Sequence, residues 1–188
     1  MLLCKNGEMI EVVVDDNFPC RDNGDGTFRP AFSRATSDIW VPLLEKAWAK
    51  LNGSYEDSVS GDPSDALQCL TGAPTRRYSH AEASKDLEAF WSKIKLSDNR
   101  KYIIAAGTKG QGEEKDESGI ILGHAYTVLS VYEFKHNSKD VRLLKLRNPW
   151  GNNEWNGAWS DKSELWTSKL RQLCELSDKD DGIFCIPF

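Results

Sequence analysis

The apolar positions of this chain change period several times, and each change marks an element. Glu11 to Asp15 (EVVVD) is a β-branched run that predicts a strand ending in the acidic pair Asp15-Asp16. Asp22 to Thr27 (DNGDGT) predicts a turn. An EF-hand loop is excluded there: with Gly26 at its sixth position, Arg21 would hold the first and Phe32 the last, where oxygen ligands are required. From Asp38 to Asn52, Ile39, Trp40, Leu43, Leu44, Ala47, Trp48 and Leu51 recur at helical spacing. Pro42 is tolerable only in the first turn of that helix, and Gly53 falls where a left-handed cap is wanted. Ser54 to Arg77, rich in Gly, Pro, Ser and Asp, reads as irregular. A second helix is predicted from Ser79, with Glu82 as its capping-box partner and Ala83, Leu87, Phe90, Trp91 and Ile94 along one face.

Beyond it, Tyr102 to Ala106 predicts a short buried strand, and Gly107 to Gly119 (GTKGQGEEKDESG) a polar surface loop. The loop is no phosphate cradle, because neither a Lys-Ser/Thr pair nor a helical pattern follows its last glycine. Ala125 to Phe134 and Val141 to Arg147 are two β-rich runs separated by Lys135 to Asp140 (KHNSKD), the pattern of a hairpin. No internal repeat and no low-complexity segment is present.

Composition narrows the function classes. The 188 residues suffice for one domain with a real core, or at most two small ones, and we read 1–188 as a single domain. A net charge of -5 with mixed signs argues against a nucleic-acid groove or a polybasic membrane face. No apolar run approaches the roughly 18–20 residues of a membrane helix, and Met1 to Ile10 lacks a signal-peptide pattern. Cys4, Cys20, Cys69, Cys174 and Cys185 are an odd set without metal-site spacing, so reduced thiols in a cytoplasmic setting are expected. Trp150, Trp155, Trp159 and Trp166 crowd one C-terminal stretch, which suggests indoles packed around irregular chain.

Of the three histidines, His80 lies in the first turn of a capped helix and His136 in the hairpin loop, both expected on the surface. His124 instead stands at the entrance of the first hairpin strand, in Gly123-His124-Ala125-Tyr126, and Asn148 at the exit of the second, in Arg147-Asn148-Pro149-Trp150-Gly151. A hairpin centred near His136 pairs residues whose numbers sum to about 272, which sets His124 beside Asn148. An amide oxygen there accepts a hydrogen bond from the imidazole, the arrangement by which thiol proteases orient their histidine. The arithmetic alone leaves open a strand-end histidine and a turn asparagine met by chance.

The local strings go further. GHAY followed by RNPWG at this spacing resembles the histidine and asparagine motifs of the calpain family of cysteine proteases. EVVVDDNFP resembles the strand that opens that family's second protease subdomain, WVPLLEKAWAKLNGSYE its first helix, and NPWGNNEWNGAWSD with DDGIF its closing segments. The likeness runs from about Glu11 onward. It implies an α+β fold of antiparallel, barrel-like β-sheets flanked by helices, like the second subdomain of the calpain protease core.

Carried over by position, the resemblance makes His124 the general base, Asn148 its orienter and Trp150 the indole that shields their bond. The polar loop before His124 matches one that borders the family's substrate cleft. Glu154, Asp161 and Asp181 match carboxylate ligands of a regulatory Ca2+, while Ile183 replaces a further expected acid. That loss predicts a weak or absent calcium site. The family's nucleophile lies in an upstream Gly-Asp-Cys-Trp context that none of the five cysteines reproduces, Cys69 in Leu67-Gln68-Cys69-Leu70 included. The expected partners are therefore an upstream Cys-bearing subdomain and protein substrates. The expected parent is a calcium-regulated intracellular endopeptidase, inactive as this chain alone. A non-catalytic calpain-like binding or regulatory module is the alternative.

Overall fold

A computed structural model describes residues 1–32, 38–110 and 112–188, and the chain divides into two units, Met1–Arg77 and Tyr78–Phe188. In the expected loop Gly107 to Gly119, Gln111 lies outside the described residues. The architecture is α+β, and the described residues form five α-helices and antiparallel sheets only.

In the first unit, β1 (Leu2–Lys5) and β2 (Glu8–Glu11) form a hairpin turned by Asn6 and Gly7, at φ 56 and 82. The expected strand over Glu11 to Asp15 does not form: only Glu11 belongs to the ladder. Val12 and Val14 still pack inward against Leu3, Ala47 and Cys69, so the β-branched run serves burial without strand pairing. Strands β3 (Cys20–Asp22) and β4 (Phe28–Pro30) bracket the expected turn, where Asp22 and Asp25 accept backbone bonds from Gly24 and Thr27. Helix α1 (Trp40–Asn52) follows the predicted periodicity. The segment read as irregular instead holds a 3-10 turn (Glu56–Ser58) and helix α2 (Pro63–Thr71). Asp62 caps α2 by accepting from the Ser64 N–H, Pro63 opens it, and Gly72 closes it in the left-handed region at φ 67.

In the second unit the helix expected from Ser79 is two. The Ser79–Glu82 capping box starts the single turn α3 (His80–Ala83), and Asp86 then accepts from the Ala89 N–H to start α4 (Leu87–Asn99) afresh. Asp86 is a strong competing N-cap inside a run whose apolar spacing looks continuous.

The main sheet has the order β5-β6-β7-β8, from Ile104–Gly107, Ala125–His136, Lys139–Arg147 and Ile183–Pro187. Its central hairpin turns on Asn137 and Ser138, both left-handed at φ 49 and 62, and pairs His136 with Lys139. Such a two-residue turn matches the right-handed twist of the strands. His136 is thus the last residue of β6, half-buried against Trp159 at 5.2 Å between ring centroids, and not an exposed loop residue.

A β-bulge at Leu129 shifts the register between Val128 and Ser130, and it reassigns the faces of β6. On the turn side, Tyr132 and Phe134 join Leu143, Val141, Cys174, Cys185 and Trp159 in one cluster. On the other side, Tyr126 and Val128 join Leu144, Leu146, Phe184 and Ile120 in another. The two clusters take alternate residues of β7 and β8 and so lie on opposite faces of the sheet. Even-numbered residues of β6 change face at the bulge.

Candidate active site

Past the bulge, Thr127 pairs with Arg147, so continuing the ladder sets Asn148 opposite Tyr126 rather than opposite His124. The expected register was displaced because the turn centres on Asn137-Ser138, not on His136, and the bulge restores one residue of that displacement. His124 and Asn148 are nonetheless diagonal neighbours on one face, and their side chains meet: Nε2 of His124 lies 2.9 Å from Oδ1 of Asn148.

Asn148 is fully buried and held from every side. Its amide N–H donates to the Gly182 carbonyl at 2.7 Å. Its side-chain Nδ2 donates to the carbonyls of Asn152 (2.8 Å) and Asn153 (3.4 Å). These bonds fix the orientation of the amide, so Oδ1 is the atom that faces His124, and it also accepts the Trp150 N–H at 3.0 Å. Gly182, at φ 80, closes the cradle: a Cβ there would come within 2.9 Å of the Asn148 carbonyl oxygen and of the Gly151 Cα.

His124 is buried, and its backbone is clamped by Thr108. The His124 N–H donates to Thr108 Oγ1 at 3.0 Å and the Thr108 N–H donates to the His124 carbonyl at 3.0 Å. The Trp150 indole stacks obliquely on the imidazole, 4.7 Å between centroids, and Tyr126 meets it edge-on at 5.1 Å. Half-buried Trp150 thus lies against the imidazole that bonds Asn148. A second partner was not foreseen: Glu113 Oε1 lies 2.9 Å from the other ring nitrogen, Nδ1. Glu113 is one of four acids in its loop, and nothing in the string GEEKDESG distinguishes it.

The three carboxylates matched to calcium ligands have divergent tasks. Glu154 Oε1 accepts from the backbone N–H groups of Asp181 (3.0 Å) and Gly182 (2.8 Å). Asp181 Oδ1 accepts from the Ile183 N–H at 3.0 Å. Asp161 is buried, and neither of its carboxylate oxygens has a hydrogen-bond partner. Burial, reinforced by the neighbouring Glu154 charge and only partly opposed by Arg171, pushes its carboxyl up to about 7. An orphaned buried carboxylate of this kind has the chemistry of a cation ligand. Among the described residues no three His, Cys, Asp or Glu side chains gather into a metal-holding group, so a cation would have to draw Glu154 and Asp181 from their backbone donors to join Asp161.

Cys4, Cys69, Cys174 and Cys185 are buried free thiols. Burial pushes the Cys69 thiol up; the Cys185 thiol donates to Cys174, and that bond together with burial pushes Cys185 up while it lowers Cys174, with help from the Lys145 charge. Cys20 is exposed and donates weakly to the Phe18 carbonyl. Cys174, the one thiol lowered, is fully buried and out of reach of a substrate.

The whole chain, residues 1–188, matches the family model described as calpain family cysteine protease, including the first ten residues that the motif blocks left out. It is 40% identical over 190 residues to the calpain-type cysteine protease DEK1 of Arabidopsis thaliana, covering 96% of this chain and 8% of that protein. It is 36% identical to calpain-5 of Caenorhabditis elegans, over 97% of this chain and 32% of that protein. Human calpain-14 is 38% identical over 95% of the chain, which again spans only 25% of it. With the motif strings in their expected order, the imidazole bound to its asparagine under an indole, and a family match from end to end, this chain belongs to the calpain family of cysteine proteases.

Proposed function

We propose that this chain is the His- and Asn-bearing part of a calcium-regulated intracellular cysteine endopeptidase that transfers the acyl group of a peptide bond to water. The observation that carries this reading is the His124 Nε2···Asn148 Oδ1 bond of 2.9 Å, buried beneath Trp150. In this reading a cysteine from a separate subdomain supplies the thiolate, which pairs with Nδ1 of His124. The thiolate attacks the peptide carbonyl, and the imidazolium gives its proton to the departing amine. The neutral imidazole then takes a proton from water as the thioester is hydrolysed. Asn148 keeps the ring pointed at both partners, and Trp150 keeps water from competing for the Asn148 bond.

The test is complementation. The chain alone should leave a fluorogenic peptide intact, since its parts act only as a unit with a nucleophile. Adding the cysteine-bearing half of a calpain core should yield turnover. His124→Ala should abolish it by about 10²–10⁴-fold, and Asn148→Ala should reduce it roughly a hundredfold by misplacing the ring. Cleavage by the chain alone, removed by mutating one of its own five cysteines, would refute the reading. Failure of a docked pair to cleave would instead favour a non-catalytic, calpain-like module.

Calcium regulation belongs to the same proposal. Asp161 is its support, as a buried carboxylate without a partner. Binding would require Glu154 to give up two backbone donors, and Ile183 brings no oxygen, so the affinity should be weak.

A further inference from the structure

The bond at the other face of the imidazole has no part in the orienting pair. The Nδ2 bonds of Asn148 and the Trp150 N–H leave Oδ1 as an acceptor, so Nε2 of His124 carries a proton. Nδ1 faces the Glu113 carboxylate, which can only accept while ionised. The carboxylate oxygen, 2.9 Å from Nδ1, stands where a thiolate partner would have to stand.

We infer that Glu113 is a carboxylate latch: it takes the position at Nδ1 of His124 that the nucleophile's thiolate must occupy, and it yields that position when the thiolate enters. The inference rests on the cysteine-protease reading above. The exchange is an acid–base step. The entering thiol releases its proton to water, the thiolate accepts the Nδ1–H bond, and the Glu113 carboxylate returns to solvent.

The loop is built to present this one side chain. On one flank the Gly123 N–H donates to the Lys109 carbonyl at 3.3 Å. On the other, the Leu122 N–H donates to the Glu114 carbonyl at 2.8 Å and Lys115 bridges to Ile121. Between these staples Glu113 adopts φ 51, a left-handed conformation costly for a residue other than glycine, next to Gly112 at φ 86. Its neighbours Glu114, Asp116 and Glu117 are the loop's other acids, and Asp116 is committed to Ser118 and Ile120. The His124 side chain is only 6% exposed whereas that of Glu113 is 54% exposed. The carboxylate therefore reaches in from water. An ion pair open on one side is weak and exchangeable, as a displaceable occupant has to be.

Modification of the chain with diethyl pyrocarbonate tests the contact, with His80 and His136 as internal references. His124 should react slowly in the unmodified chain. Glu113→Ala should speed it about two- to fivefold without changing the other two, and Glu113→Asp, too short to reach, should behave alike. Equal His124 rates in the unmodified chain and Glu113→Ala overturn the latch. In the complemented protease, Glu113→Gln and Glu113→Ala should raise kcat/KM about two- to fivefold, the size expected for losing a weak ion pair. A merely structural role for Glu113 could lower activity but not raise it. An active pair indifferent to both variants overturns the latch and leaves the protease reading intact. A docked pair inactive with and without Glu113 sinks the protease reading and the latch with it.

Discussion

At the scale of single residues, Asp161 is a buried carboxylate with no hydrogen-bond partner on either oxygen. Its carboxyl is pushed up to about 7 by burial and by the Glu154 charge, while an unfolded aspartate ionises near 3.8. Below about pH 3 both states are protonated and the residue is neutral to stability. As pH rises toward 7 the unfolded chain ionises first, so stability is lost progressively across that window and stays lost above it. Asp161→Asn removes this penalty. In chelator it should melt higher than the unmodified chain at pH 8, by on the order of 1–4 kcal/mol, and equally at about pH 2.5. Identical melting at both values would show that water satisfies the carboxylate. Calorimetric titration addresses the same group from the metal side. Calcium should bind with a dissociation constant of roughly 10⁻⁴–10⁻³ M, Ile183→Glu should tighten it, and Asp161→Ala should abolish it. Micromolar affinity would mean that other oxygens complete the site.

At the scale of elements, the hairpin turn carries a local cost that can be removed. Ser138 sits at φ 62 in the second position of a two-residue turn, where glycine is favoured. Ser138→Gly should stabilise the chain by about 1 kcal/mol in urea denaturation, with no change in m. Gly182→Ala should do the opposite by roughly 1–2 kcal/mol. Its Cβ would press on the backbone beneath Asn148. The elements legible in the sequence were those with long apolar periods: α1, the β6–β7 hairpin and the start of α3. The misses had local signals that periodicity outweighed. Asn6-Gly7 is a hairpin turn, Asp62-Pro63 with Gly72 brackets a helix, and Asp86 restarts one. In the candidate site, His124, Asn148 and Trp150 were legible from their motif strings. Glu113 was not, because a loop with four acids gives no hint of which one turns inward.

At the scale of the whole molecule, the candidate site lies entirely within Tyr78–Phe188. That unit contains the four-stranded sheet and two apolar clusters of its own. Residues 78–188 expressed alone should therefore fold in one cooperative transition and keep His124 slow toward diethyl pyrocarbonate. A molten product with all three histidines equally reactive would show that Met1–Arg77 is needed to form the site. The chain spans 8–32% of the relatives named above, so the proposed activity is assigned to an assembly of which this chain is one part.

The bulge at Leu129 gives β6 two reading frames. In the frame set by the Asn137-Ser138 turn, where His136 meets Lys139, positions 124 and 148 would project from opposite sides of the sheet. The one surplus residue changes the frame before the strand reaches them. A chain lacking only Leu129 would keep every chemical group of the candidate site and lose the site itself. For this protein, the length of backbone between turn and imidazole is as much a functional specification as the imidazole.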